Sequence, residues 1–236
     1  MDATAGRREV TWPGCRLPRT WYRRDALEVA PALLNKVLMG TNGRAARIVE
    51  VEAYRGTDDP GSHAYRGRTA RNATMWGPPG HLYVYFTYGM HWCANIVCGT
   101  DGDPQAVLLR AGEPLAGTAV MFAARQARSP NARRQELCRG PARMCQAFGI
   151  GGDHDGADVA IGESSAAPPT ARERGCSATG GAWIVDDQTP PPAAPARGPR
   201  VGLRAGADLP WRYWVPDSPD ISTYRRASRR RPPTTA

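Results

Sequence analysis

The sequence predicts a single domain that combines α-helices with β-strands. Its 236 residues are enough to bury one substantial hydrophobic core. Some segments alternate apolar with polar residues, which is typical of strands, and others repeat apolar residues at helical spacing. Stretches rich in glycine and proline separate these segments, as expected of the loops between elements.

The first predicted elements follow a flexible leader over residues 1–13. Apolar residues at helical spacing predict a helix over Asp25–Met39, which Pro31 should kink or restart because proline lacks a backbone N–H. Alternation over Ala45–Tyr54 predicts a strand. Arg55–Pro79 is rich in Gly, Asp, Arg and Pro and predicts a loop of a length that is usually functional or disordered.

Three strands are predicted in the middle of the chain. Leu82–Tyr88 and Asn95–Cys98 should be joined at Gly89 by a hairpin or tight bend, and Ala106–Arg110 should form a short third strand.

Two helices are predicted after these strands, over Thr118–Ala127 and Gly140–Gly149. The second has Pro141 at its first helical position and Gly149 just past its end, the positions that these two residues favour.

The rest of the chain is less regular. Residues 161–199 predict a low-complexity excursion in which only Trp183–Val185 has the character of ordered structure. Arg200–Val215 regains apolar and aromatic residues and should close the sheet. We therefore expect a main domain over residues 14–217 and a basic, disordered tail over residues 218–236.

The charge balance favours acidic partners. The net charge is +9 and the isoelectric point about 9.7, and Lys36 is the only lysine, so arginine supplies nearly all of the positive charge. Arginine binds phosphate through two parallel hydrogen bonds, which suits a nucleic-acid surface. A genome rich in G and C would also favour arginine codons, so charge alone leaves this interpretation open.

The six cysteines predict no metal site, because none forms a C-x-x-C pair and no His–Cys cluster has zinc-ligand spacing. The N-terminus lacks the apolar segment of a secretory signal, and no run of 18 apolar residues occurs. We therefore expect a cytoplasmic protein with no membrane partner.

Three polar side chains share one face of the first predicted strand: Glu50, Glu52 and Tyr54. Because the strand is otherwise apolar, this face should border a half-buried pocket, where an acid can hold and deprotonate a water molecule. A solvated sheet edge would give the same pattern, and the pattern does not choose between the two glutamates.

Aromatic residues crowd the segment LYVYFTYG. Tyr83 and Tyr85 should point to one face of the strand. Tyrosines at such positions can be ligand contacts, but they can also be ordinary residues of the core or of the sheet surface. Tyr88 precedes Gly89 at the predicted bend, where a ring could enter a base stack and fill the gap left by an extruded base.

Three other residues have candidate roles through their positions. His63 lies in the loop after the first strand and can fold back over the same pocket, although a lone loop histidine is commonly without function. Asn95 lies in an apolar segment, where its amide must be hydrogen-bonded or must discriminate a ligand. Arg110 ends an apolar strand and must pair with an acid or meet an anion.

The ordered series VEVEAY, SHAYRG, MWGPPGHLYVYFTYGMHWCANIV, AVLLRAGEPL and ELCRGPARMCQAFGI closely resembles the alkyladenine (3-methyladenine) DNA glycosylase family. The similarity extends from about Arg19 to Asp217, with a poor match over residues 161–199. It implies an α+β fold in a single compact domain, with a curved antiparallel β-sheet flanked by helices and a protruding β-hairpin.

The resemblance also implies residue roles. Glu52 matches the general base and Tyr88 the residue that intercalates into DNA, whereas Glu50 matches no catalytic position. Asn95 matches the residue that crowds the 2-amino group of guanine. The positions that match the base-binding pocket are Tyr54, His63, Tyr85, Asn95, Leu108 and Arg110. Two positions depart from the family pattern: Trp76 replaces a phenylalanine, and Asn35 replaces a glycine.

The function implied by the resemblance is that of a monofunctional repair glycosylase. It would flip alkylated or deaminated purines out of double-stranded DNA and hydrolyse the N-glycosidic bond, leaving an abasic site, as a monomer without metal or cofactor. Two alternatives stay open at this point: a non-catalytic binder of distorted nucleic acid, and an enzyme that acts on free nucleosides or nucleotides.

Overall fold

A computed structural model describes residues 12–160 and 181–227, which form one sheet with helices packed against it. The strands are β1 (Cys15–Arg16), β2 (Val37–Gly40), β3 (Arg44–Tyr54), β4 (Leu82–Thr87), β5 (His91–Cys98), β6 (Gln105–Ala116), β7 (Ala182–Asp186), β8 (Ala196–Gly198) and β9 (Arg212–Trp214). The α-helices are α1 (Arg19–Tyr22), α2 (Ala26–Leu33), α3 (Thr118–Arg128) and α4 (Pro141–Phe148).

The strands pair in the order β1-β7-β2-β3-β6-β5-β4, and β9 pairs with both β3 and β8. Every pairing between these strands is antiparallel. The predicted α+β class, in a compact domain with a curved antiparallel sheet, is confirmed. β4 and β5 pair from Leu82↔Ile96 to Thr87↔His91, while the protrusion of this hairpin from the domain stays a prediction.

The long strand β3 is buried on both of its faces. Val51 and Ala53 belong to the main hydrophobic core, while Glu50 and Glu52 are also fully buried. The register between β3 and β6 shifts around Glu50, where β9 pairs with β3 at its other edge. β3 therefore carries carboxylates into the interior with a paired strand on either side.

Helices α2, α3 and α4 cover the apolar face of the sheet, with Val29, Met121 and Phe148 among the residues of the core. The predicted helix around Thr118–Ala127 is confirmed, as is the helix that begins at Pro141 and ends before Gly149. None of the helices in residues 12–160 and 181–227 is long and apolar enough to cross a membrane.

The predicted helix over Asp25–Met39 is wrong in its second half. Helix α2 contains Pro31 and ends at Leu33, and strand β2 begins at Val37. Asn35, which lies between the two elements, adopts a positive φ of 67°, a conformation that glycine and asparagine favour. The completely buried β2 pairs with β3 and β7, so long-range pairing overrides the helical spacing.

Strand β7 contains Trp183–Val185, the segment predicted to be ordered within the excursion. Residues 1–11, 161–180 and 228–236 lie outside the described residues. Strand β7 lies inside the sheet between β1 and β2, although its flanking sequence is of low complexity. The first part of the predicted tail, residues 218–227, returns to the sheet and buries Ser222. The other domain boundaries stay predictions.

Candidate active site

A cavity with an empty volume of about 370 Å³ opens beside β3, β4 and β5. Its lining is rich in aromatic rings and small residues. The lining residues are Tyr54, Gly61, Ser62, His63, Met75, Tyr83, Tyr85, Asn95, Ala106 and Leu203. Four of the predicted site residues, Tyr54, His63, Tyr85 and Asn95, are therefore brought together around one space.

Glu52 lies behind this cavity and is fully buried. Its Oε2 accepts a hydrogen bond of 2.8 Å from the hydroxyl of Tyr54, which is a wall of the cavity. Its Oε1 accepts a bond of 2.7 Å from the backbone N–H of Val201 and lies 3.3 Å from Nη1 of Arg110. The carboxylate is thus fixed by three groups and reaches the cavity through Tyr54.

The aromatic walls come from β4 and from the loop after β3. The rings of Tyr83 and Tyr85 stack with centroids 5.5 Å apart, so the two residues share a face, as the alternation predicts. The ring of His63 lies edge-on to Tyr85 at 4.5 Å, and its Nδ1 is 2.9 Å from the hydroxyl of Tyr83. Asn72 holds this loop by donating to the backbone carbonyl of His63.

Burial changes the proton affinities of these walls. It raises the pKa of Tyr54 well above its ordinary value, and Glu52 raises it further. Burial also raises the pKa of Tyr85 and brings that of Tyr83 to about 12. Where the ring of His63 packs against its neighbours, loss of solvent lowers its pKa, and Arg71 lowers it further. At neutral pH the walls therefore carry neutral hydroxyls and a neutral imidazole.

Asn95 and Leu108 lie opposite each other on β5 and β6. The side-chain amide of Asn95 donates a bond of 3.0 Å to the backbone carbonyl of Tyr83, which fixes its orientation at the cavity wall. Leu108 is buried and is in register with Glu52, but it is not among the residues that line the cavity.

Arg110 is buried beside both glutamates of β3. Its Nε donates a bond of 3.1 Å to Glu50, and its Nη1 contacts Glu52. Burial by itself lowers the pKa of Arg110, but Glu52 and Glu50 together raise it above its ordinary value. Glu50 also pairs with Arg212 at 3.1 Å. Of the two acids, Glu52 is the one bonded to a wall of the cavity.

A second buried ion pair supports the back of Tyr54, and the sequence analysis missed it. Arg200 is fully buried and bonds both carboxylate oxygens of Asp59, with Nη2 2.7 Å from Oδ1. Its guanidinium carbon lies 4.6 Å from the centroid of the Tyr54 ring. The sequence analysis also missed Tyr83 as a site residue. Tyr83 and Tyr85 are two residues apart on one strand, so they share a face, and this alternation could have identified Tyr83 as a second wall of the cavity.

Tyr88 lies apart from the cavity, at the turn between β4 and β5. It is 81 % exposed and adopts a positive φ of 51°. Phe86 and Met90 beside it are 44 % and 64 % exposed, so the turn presents a cluster of apolar side chains to solvent. Single exposed apolar residues are ordinary, but a contiguous group indicates a contact surface.

Residues 12–160 and 181–227 include no group of three or more His, Cys, Asp or Glu side chains that could hold a metal ion.

The sequence is similar to those of one family of known proteins. The sequence model of the methylpurine-DNA glycosylase family matches residues 20–219. A protein of Burkholderia lata is 56 % identical over 211 residues, which cover 89 % of this chain and 93 % of the relative. A protein of Streptomyces avermitilis is 44 % identical over 220 residues, covering 91 % and 94 %. Both carry the name "Putative 3-methyladenine DNA glycosylase".

Proposed function

The chain belongs to the methylpurine-DNA glycosylase family, and from this premise we propose how it acts on damaged DNA. It is a monofunctional methylpurine (3-methyladenine) DNA glycosylase. We propose that it flips alkylated and deaminated purines out of duplex DNA into the cavity, where Glu52 activates a water molecule. The observation that carries this proposal is the fully buried carboxylate of Glu52, bonded to a wall of an aromatic cavity.

In the proposed reaction, Glu52 orients and deprotonates water for attack at the anomeric carbon. The carboxylate also stabilises the positive charge that develops on the sugar. The electrons of the N-glycosidic bond leave with the purine, and the sugar gains the hydroxyl, which leaves an abasic site. Arg110, 3.3 Å from Glu52, keeps the carboxylate in place.

The walls account for base selection. Tyr54, His63 and Tyr85 supply electron-rich ring faces, which attract a cationic alkylpurine more strongly than a neutral base. Asn95, held by Tyr83, would crowd the 2-amino group of guanine. A base between two parallel rings needs about 7 Å, twice the contact distance of carbon atoms. Because His63 lies edge-on to Tyr85 at 4.5 Å, we infer that His63 moves when a base is bound.

Access to the duplex would come from the turn at Tyr88. Its exposed ring can enter the base stack from the minor groove and occupy the place of the extruded nucleotide. Unstacking costs a few kcal/mol, and least for a damaged or mispaired base, so selection begins before the base reaches the cavity. Arginines bind the phosphates without reading sequence.

The reaction should stop at the abasic site. A lyase step through a Schiff base needs an amine nucleophile, commonly a lysine. The sequence holds a single lysine, Lys36, and its ammonium group pairs with Asp186 at 2.7 Å. The substrate places this activity with the chromosomal DNA, in the cytoplasm or nucleoid.

A set of matched duplexes tests the proposal. Each would carry one 3-methyladenine, hypoxanthine, ethenoadenine or normal adenine, and release of the free base would be measured in single turnover. We expect release from the damaged bases, little from adenine, and no competition from excess free nucleoside. Release of methylpurines alone would remove deaminated bases from the proposal. Binding of lesions without release would favour a non-catalytic binder, and inhibition by nucleosides would favour a nucleoside enzyme.

A further inference from the structure

Glu50 is as deeply buried as Glu52, yet the reaction proposed above gives it no task. Its Oε1 accepts hydrogen bonds from Nε of Arg110 and Nη1 of Arg212, both at 3.1 Å, and from the hydroxyl of Ser222 at 3.0 Å. Its Oε2 accepts a bond of 2.6 Å from the backbone N–H of Ser222. Four donors therefore converge on this one carboxylate.

Arg110 connects this cluster to the proposed general base. Its Nε bonds Glu50, its Nη2 donates 2.9 Å to the hydroxyl of Ser222, and its Nη1 lies 3.3 Å from Oε1 of Glu52. A guanidinium group is planar and rigid, so two fixed nitrogens determine the position of the third. The hydroxyl of Ser222 completes the arrangement by accepting from Arg110 while it donates to Glu50.

We propose that Glu50 and Ser222 are positioning residues, which hold Arg110 so that it contacts one oxygen of Glu52 and leaves the other oxygen to the cavity side. This inference rests on the proposed role of Glu52 as general base. In the structure Arg110 contacts Oε1, whereas Oε2 accepts a hydrogen bond from Tyr54, a wall of the cavity.

The charges explain why a second acid is needed. Two carboxylates, Glu50 and Glu52, face two guanidinium groups, Arg110 and Arg212, in a buried space. Without the negative charge of Glu50, Arg110 would be free to form a two-bond pair with Glu52, the geometry that arginine and carboxylate favour. That pair would occupy Oε2, the oxygen required by the attacking water.

Ser222 comes from the segment after β9, beyond residue 219, where the match to the family model ends. The segment crosses back over the sheet and places both the N–H and the hydroxyl of Ser222 on Glu50. This segment thereby supports the site from behind.

The test compares four variants with the wild type: Glu50→Gln, Ser222→Ala, Ser222→Thr and the matched control Ser218→Ala. Single-turnover release of a methylpurine, the Kd for an uncleaved lesion duplex and the Tm would be measured. We expect Glu50→Gln and Ser222→Ala to lower the single-turnover rate by about 10- to 100-fold, as misplaced catalytic groups do, with the Kd within about twofold of the wild type. Ser222→Thr keeps the hydroxyl and should retain most of the rate, and Ser218→Ala should behave as the wild type.

If Glu50→Gln does not fold, the rate of Ser222→Ala alone tests the proposed positioning role. An unchanged rate for folded Ser222→Ala, or equal losses for Ser222→Ala and Ser222→Thr, would overturn the inference, because the hydroxyl would then have no positioning effect. In that case an active wild type would leave the proposed function intact. An inactive wild type would instead overturn the proposed function, and the inference with it.

Discussion

Glu52 and Tyr88 represent two regions of the molecule that are built in opposite ways. Glu52 is fully buried, and both of its carboxylate oxygens accept hydrogen bonds from fixed partners. Tyr88 is 81 % exposed at a turn whose neighbours Phe86 and Met90 are also exposed apolar residues. The carboxylate of the interior is held in place by hydrogen bonds, and the turn is open to contact with a large partner.

The difference suggests a division of labour between the two regions. Pre-organised polar groups act on a transition state without reorganising when the reaction occurs. An exposed ring gains binding energy only when a partner covers it. Changes in the interior should therefore alter the rate of base release, and changes at the turn should alter the capture of the lesion.

The largest expected effect is that of Glu52→Gln, which removes the proposed general base but keeps the shape of the side chain. We expect the single-turnover rate of methylpurine release to fall by about 10³-fold, within the range of general-base catalysis. The Kd for lesion DNA should change little, because Glu52 lies behind the cavity wall. Glu113→Gln, at an exposed position of β6, is the matched control. Substantial release by Glu52→Gln would assign the chemistry to another group.

A smaller effect is expected for Tyr88→Ala at the turn. Loss of the ring should weaken binding of lesion duplexes by about 10-fold, the scale of one base-stacking contact. The Tm should stay near that of the wild type, since the ring contributes little to the core. Tyr65→Ala, which removes another exposed tyrosine, controls for the general loss of an aromatic surface. Equal weakening by both variants would contradict a specific role of the turn.

The smallest expected effect concerns pH and the charge of the lesion. The pKa of His63 is lowered, so the ring is neutral at neutral pH and becomes cationic only below its ordinary value of about 6.5. As the pH falls through that lowered pKa, His63 should repel a cationic methylpurine but not neutral hypoxanthine. The rate of methylpurine release divided by the rate of hypoxanthine release should then fall a few-fold.

His63→Asn provides the decisive comparison for this pH effect. In this variant the ratio of methylpurine release to hypoxanthine release should no longer change as the pH falls. His154→Asn changes a histidine outside the cavity lining and should keep the pH dependence of the wild type. A ratio that falls equally in His63→Asn would assign the titration to another group.

Local patterns predicted the elements that hold most of the site. The alternation over Ala45–Tyr54 gave β3 with Glu52 and Tyr54 on one face, and the aromatic segment gave β4 with Tyr85. Pro141 and Gly149 marked the ends of α4. Such signals are reliable because they depend on neighbours within a few residues.

The pairing of distant residues could not be predicted in the same way. The sequence predicts a helix that is too long, because the helical spacing of α2 continues into β2. Only the pairing of β2 with β3 and β7 makes those residues a strand. Arg200 and Asp59 are 141 residues apart in the chain, and Ser222 and Glu50 are 172 apart. No local period carries information about partners at such separations.

The sequence by itself determined the kind of groups available: two acids and a tyrosine on one strand, rings on the next, and an arginine on a third. The third strand, β6, extends to Ala116, so Arg110 lies in its middle and not at its end as predicted. The alternation left the two acids equivalent, and only the family resemblance favoured Glu52. In the tertiary structure both acids are fully buried, and their hydrogen-bond partners separate them, because these partners are set by where the strands and the segment after β9 meet. Glu52 was left facing Tyr54 and the cavity, whereas Glu50 was enclosed by Arg110, Arg212 and Ser222.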